Sequence, residues 1–146
     1  MRDNKLMAVE AVVFILLLVG IFYWPKNKNP EIDIPCLDPS ILTLQQHLHP
    51  TLKIFIDEKE IIIPANIGLI GDCEQAIHTH DNGGVIHIEA QDKRVYKLKD
   101  FFAVWKQRLP RFGYRLEMTV DGKLNDQLDE LIFKDRQNII LNYHSR

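Results

Sequence analysis

The stretch 75–90 reads QAIHTHDNGGVIHIEA, two alternating runs around Asp81-Asn82-Gly83-Gly84. Little other than an antiparallel β-hairpin can hold such a segment. Asn-Gly tolerates positive φ at both central positions, as a two-residue hairpin loop requires. With Asn82 and Gly83 as that loop, Asp81 faces Gly84, His80 faces Val85, Thr79 faces Ile86 and His78 faces His87. Alternation then puts Ala76, His78, His80, Val85, His87 and Glu89 on one face. Ile77, Thr79, Ile86 and Ile88 go to the other, the natural core face. Directly opposed Cβ atoms lie ~4.5–5.5 Å apart, so His78, His80 and His87 are expected to converge on one patch.

Of the chain's 6 histidines, all but His144 fall between residues 47 and 87. Four of them form two His-x-His pairs, His47-Leu48-His49 and His78-Thr79-His80. In an extended strand, residues two apart share a face, so each pair can aim two imidazoles at one point. A lone histidine on a solvated sheet face is ordinarily inert and hydrogen-bonded to a neighbour. So dense a group, with a register that gathers three of its members, points instead to a metal site. The expected ligands are His78, His80 and His87, with His47 and His49 joining if the strands pack side by side. Cys73, Asp81 and Glu89 are possible further ligands. All-imidazole sites suit Zn²⁺ or Cu²⁺, whereas Cu(I) favours thioether and thiolate, and Met118 is the sole methionine beyond the N-terminal segment. The expected cofactor is therefore a copper or zinc ion.

The first residues make a different demand. Leu6–Trp24 reads LMAVEAVVFILLLVGIFYW, with Glu10 its single charge. A membrane-spanning helix needs ~20 apolar residues, so residues 1–24 are read as a single N-terminal transmembrane anchor. Phe22, Tyr23 and Trp24 suit an interfacial belt, and Pro25 suits a helix end. The bulky residues there do not match the small-residue cleavage site of a signal peptide. Arg2 and Lys5 before the span balance Lys26 and Lys28 after it, so charge leaves the orientation open. The long polar C-terminal part favours an extracytoplasmic domain. Cys36 and Cys73 are compatible with one disulfide in such a compartment, and equally with free or metal-bound thiols. Residues 25–40, PKNKNPEIDIPCLDPS, read as a Pro-rich linker. A net charge of −2 offers no footprint for nucleic acid.

Residues 41–146 then form a histidine-rich, β-dominated domain. Leu52–Ile56 and Glu60–Pro64 flank Asp57-Glu58-Lys59 as a hairpin, and Val95–Leu98 reads as a short strand. Lys99–Leu109 has bulky residues at helical spacing (Phe101, Phe102, Trp105, Leu109), with Lys99 or Asp100 at its start and Pro110 as its stop. Those aromatics suit core packing rather than a cofactor box. Tyr114–Val120, an Asp121-Gly122 turn, Glu130–Phe133 and Asn138–Tyr143 complete the chain. About seven short strands and one amphipathic helix predict an α+β fold, mainly antiparallel β, as a sandwich or barrel-like sheet. LKIFIDEKEIII and LEMTVDGKL are a faint internal echo of one another: strand, acidic turn, strand.

HLHPTLKIFI (47–56), IPANIGL (63–69), Cys73, IHTHDNGGVIHIEA (77–90) and FFAVW (101–105) together resemble a largely uncharacterised family of bacterial and archaeal domains. Its members often follow a single N-terminal membrane helix. The resemblance implies that His47, His49, Cys73, His78, His80, Asp81, His87 and Glu89 occupy the family's distinctive positions, and it carries no settled activity. The cupin pattern fits less well, because Glu89 follows His80 only across a turn and a downstream glycine is missing. No nucleophile elbow, Walker loop or dinucleotide fingerprint occurs. The expected function is a membrane-anchored metal-binding domain, a metal carrier or an accessory to a larger membrane protein complex. A pH-sensing or protein-interaction domain is the first alternative. A small metalloenzyme with an open three-histidine site and Glu89 as general base is the second.

Overall fold

The computed structural model describes residues 33–109 and 113–146, within the compact unit Ile32–Arg146. The span expected over 6–24, and Pro110, lie outside them. Among the described residues no helix is long and apolar enough to cross a membrane. Over the described residues the fold is α+β, with mostly antiparallel strands and one α-helix.

Among the described residues two main sheets share one apolar core. The larger has the order β3-β2-β10-β8-β9, formed by β2 (Thr51–Ile56), β3 (Lys59–Ile61), β8 (Tyr114–Val120), β9 (Lys123–Leu124) and β10 (Asn138–Ser145). β2 and β10 run parallel, so this sheet is mixed rather than purely antiparallel. The two segments that echo each other in sequence flank β10 as hairpins, β2–β3 and β8–β9. Each turns on two residues with positive φ: Asp57 and Glu58 (46° and 67°), and Asp121 and Gly122 (51° and 76°). That is the backbone of a primed turn, whose twist matches that of the flanking strands. The first loop is thus one residue shorter than expected, since Lys59 already pairs with Ile56.

The second sheet has the order β1-β7-β6, from β1 (Gln46–Leu48), β6 (Ile77–His78) and β7 (His87–Ala90). A two-stranded ladder, β4 (Leu69–Ile70) with β5 (Cys73–Glu74), adjoins it. Period-2 burial runs through both main sheets. Leu52 and Ile54, Ile139, Leu141 and Tyr143, and Ile88 and Ala90 all point into the core. Each such leucine or isoleucine contributes about 1.5–3 kcal/mol of burial.

The helix, α1 (Leu98–Val104), is shorter than Lys99–Leu109. It starts where Asp100, at its third residue, accepts the Lys97 backbone N–H at 2.8 Å. It ends well before Pro110, because Lys106 turns left-handed (φ 59°). Lys106 N–H then reaches Ala103 O at 3.0 Å and Gln107 N–H reaches Phe102 O at 2.9 Å, the paired bonds of a Schellman cap. Leu98, Phe101 and Phe102 are buried as the spacing requires.

Two further expectations are revised. Val95–Leu98 and Glu130–Phe133 are not strands: a single bridge, Lys97 to Ile132, joins them, and Leu128–Glu130 is a 3₁₀ turn. Residues 33–40 are not a free linker either. Ile34 is buried, Ala76 N–H donates to Pro35 O at 2.9 Å, and Leu37 N–H donates to Glu74 O at 2.7 Å. Cys36 is bonded to Cys73, their Cα atoms 5.3 Å apart.

Candidate metal centre

β7 is the middle strand of its sheet, and two of its residues, His87 and Glu89, face the same way by alternation. On one side His78 of β6 stands opposite His87. On the other, His47 of β1 stands opposite Glu89. The intervening row, Ile77, Ile88 and Leu48, turns toward the core. Beside Glu89 on the β6 side lies Ala76, whose carbonyl accepts the Glu89 N–H at 3.0 Å. His49 continues the face beyond β1, its ring 4.8 Å from that of His87 and nearly perpendicular to it. Five imidazoles and a carboxylate thus share one side of a three-stranded sheet.

The hairpin register agrees with the pairing read from the sequence, but the turn does not. Only Ile77 and His78 pair with β7. Val85 bridges to Thr51 of β2 instead of His80. The left-handed residue is Gly84, at φ 77°, and a Cβ there would lie 2.4 Å from Leu52 O. β2 has inserted beside the loop and opened it. His80 consequently lies beyond the ladder and is half exposed, yet its ring still packs against His78 and His87 at 4.7 and 4.5 Å.

His78 is the fully buried member. Its Nδ1 lies 2.8 Å from the Gln75 carbonyl, which can only accept, so Nδ1 donates there and Nε2 is the ring nitrogen turned toward the rest of the cluster. That Nε2 is 3.2 Å from His80 Nε2 and 3.1 Å from Glu74 Oε1. Two nitrogens bound at ~2.05 Å to one tetrahedral ion would be roughly 3.3 Å apart. The spacing also permits an N–H···N hydrogen bond, so the third ligand is what discriminates. His87 supplies it. Its Nδ1 is buried without a hydrogen-bond partner, 3.7 Å from Glu89 Oε1. Burial pushes the His87 imidazole below its usual value, and His80, His78 and His49 push the same way against Glu89. A neutral ring with an unspent lone pair is what a metal ligand needs.

The scaffold around these rings is local and polar. Thr79, between the two histidines, faces the other way and is clasped by the 64–67 loop. Its hydroxyl donates to Pro64 O at 2.9 Å and accepts Ile67 N–H at 3.1 Å, while its own N–H reaches Ile67 O at 3.0 Å. Gly68 lies so close to β6 that a Cβ would sit 2.4 Å from Ile77 O. Asn82 accepts the Ala65 N–H at 2.7 Å. These contacts give the IPANIGL segment a physical role: it is the back wall of the His78–His80 strand.

Ligand atoms of His78, His80 and His87 lie within 4.8 Å of one another, and so do those of His47, His49 and Glu89, and of Glu74, His78 and Glu89. Two of the possible ligands fall away. Cys73 is held in the disulfide and offers no thiolate. Asp81 belongs to none of these groups and spends Oδ1 on the Gly83 N–H at 2.7 Å. Glu74 and Asp135 were not anticipated. Glu74 is delivered by the Cys36–Cys73 bond next to it, and Asp135 accepts the His49 backbone N–H at 3.0 Å. The Cys36–Cys73 pair hinted at the first, but no local signal marks the second. A groove of about 570 Å³ along β8 and β9 is lined by Arg115, Glu117 and Leu124 among others and contains none of these groups. The chain matches no known protein family, no curated protein and no solved structure.

Proposed function

We propose that the domain binds one Zn²⁺ or Cu²⁺ ion through His78, His80 and His87, outside the cytoplasm, behind a single membrane anchor over residues 6–24. The observation that carries the reading is His78: a fully buried imidazole whose Nδ1 is committed to the Gln75 carbonyl and whose Nε2 sits 3.2 Å from His80 Nε2. A carbonyl behind a ligating histidine is the usual outer-shell device for setting the tautomer and aiming the ring. Among the described residues soft donors are missing from the neighbourhood, because Cys73 is oxidised and Met118 is in the core. Imidazole with nearby carboxylate suits Zn²⁺ or Cu²⁺ rather than Cu(I). The disulfide favours an oxidising compartment, in keeping with an outward-facing domain. Half-exposed His80 makes the site reachable from solvent, which suits a carrier or an accessory to a membrane protein complex.

The test uses the full chain, purified in detergent, equilibrated with Zn²⁺ or Cu²⁺ and freed of loose metal before elemental analysis. Wild type retains metal, and the combined His78→Ala, His80→Ala, His87→Ala variant retains far less. Equal, negligible metal in both overturns the reading.

A further inference from the structure

The imidazoles outnumber what one ion needs, and the carboxylate among them is placed between two sets. His47 and His49, with Glu89, form a two-histidine, one-carboxylate group whose ligand atoms converge within 4.8 Å, separately from His78, His80 and His87. His47 Nε2 lies 3.2 Å from Glu89 Oε1, the spacing of two atoms on one ion. The same Oε1 lies 3.7 Å from His87 Nδ1, the buried nitrogen that lacks a hydrogen bond. Glu89 also converges with His78 and Glu74. The rings of His49 and His87, one from each set, are 4.8 Å apart. We propose that the sheet face holds a dinuclear centre, in which His47, His49 and Glu89 bind a second divalent first-row cation and Glu89 bridges it to the ion on His78, His80 and His87.

This inference rests on the three-histidine reading and extends it. Two-metal sites place their ions ~3.5–4 Å apart, a separation one carboxylate spans. Two dications that close repel strongly, and neutral imidazoles do nothing to offset this. The anionic groups at hand are Glu89, between the sets, Glu74, beside the first, and Asp135, whose Oδ1 lies 3.8 Å from His49 Nδ1 of the second. A two-histidine, one-carboxylate group leaves coordination positions open, and His47 and His49 are its more exposed members, so the second ion would be the one facing solvent.

Cu²⁺ is the probe, because copper content and electron paramagnetic resonance report on number and proximity independently. The full chain is loaded with excess Cu²⁺ and freed of loose metal. Expected are two ions per wild-type chain, with a dipole-broadened spectrum and a half-field transition. The His47→Ala, His49→Ala variant holds one ion with an ordinary mononuclear spectrum, and Glu89→Gln also loses the coupled signal. Circular dichroism of each variant checks that the fold is retained. One ion in wild type overturns the dinuclear centre: if the His47→Ala, His49→Ala variant keeps it, the three-histidine site stands alone, and if that variant loses it, the three-histidine reading falls as well. Two ions that are magnetically isolated, or a coupled pair that survives Glu89→Gln, overturn the bridge. No ion in wild type removes both readings together.

Discussion

The Thr79 hydroxyl donates to the Pro64 carbonyl at 2.9 Å, and through that bond the residue between two histidines is tied to a loop twelve or more positions upstream. Thr79 is fully buried, and its oxygen also accepts from Ile67 N–H. Thr79→Val keeps the shape and leaves both backbone groups without that partner. A buried group stripped of its hydrogen bond costs about 1–3 kcal/mol. The variant should lose about 2–4 kcal/mol in urea unfolding. Its metal retention should also fall although no ligand has changed. Unaltered stability and metal content would show that the clasp does not position the pair.

Gly68 provides a second check on the same wall. It combines φ of 80° with a would-be Cβ only 2.4 Å from Ile77 O. Gly68→Ala therefore adds left-handed strain of about 1–2 kcal/mol and a clash with backbone that cannot swing aside. A loss of more than about 2 kcal/mol is expected. Gly71→Ala is the control: its φ is 59° but nothing lies within 4 Å of the added methyl, so strain alone should register.

The disulfide closes a separation of 37 residues. Chain-entropy arithmetic gives about 4 kcal/mol for a loop of that size. Replacing both Cys36 and Cys73 by serine should lower stability by about 2–4 kcal/mol. It should also release Glu74, and with it the carboxylate beside His78. Equal melting midpoints for wild type with and without reductant would contradict this account.

Acidification should weaken the metal-free domain in a defined direction. His87 titrates below its ordinary 6.5 in the folded state, chiefly through burial. As pH falls past 6.5 the unfolded chain takes up a proton that the folded chain resists, so the unfolded state gains protons first and stability declines. The decline ends once pH is below the folded-state value. Urea unfolding at pH 7.5 and 5.5 measures it, and His87→Gln should shrink the difference. A wild-type domain that gains stability over that interval would reverse the assignment.

What was legible in the sequence was whatever depends on near neighbours. The alternation in 75–90 correctly set His78 against His87, because a period of two allows no half-measures: a slip of one residue would expose Ile77 and Ile88. Tyr114–Val120 and its Asp121-Gly122 turn were readable for the same reason. The helix was found but overextended, since its end depends on the backbone of Lys106 rather than on Pro110.

The tertiary structure decided everything that joins distant segments. It placed β1 on the free edge of β7, so that His47 met Glu89 and His49 met His87. It oxidised Cys73 with Cys36, removing a ligand from the list and adding Glu74 to it. It inserted β2 beside the Asn82-Gly83 loop and so changed the turn without changing the register. Hydrophobic periodicity records which way a side chain points, but not which strand will lie beside it. Strand neighbours are chosen by burial of the whole core at once, and that choice turned two separate histidine pairs into one face.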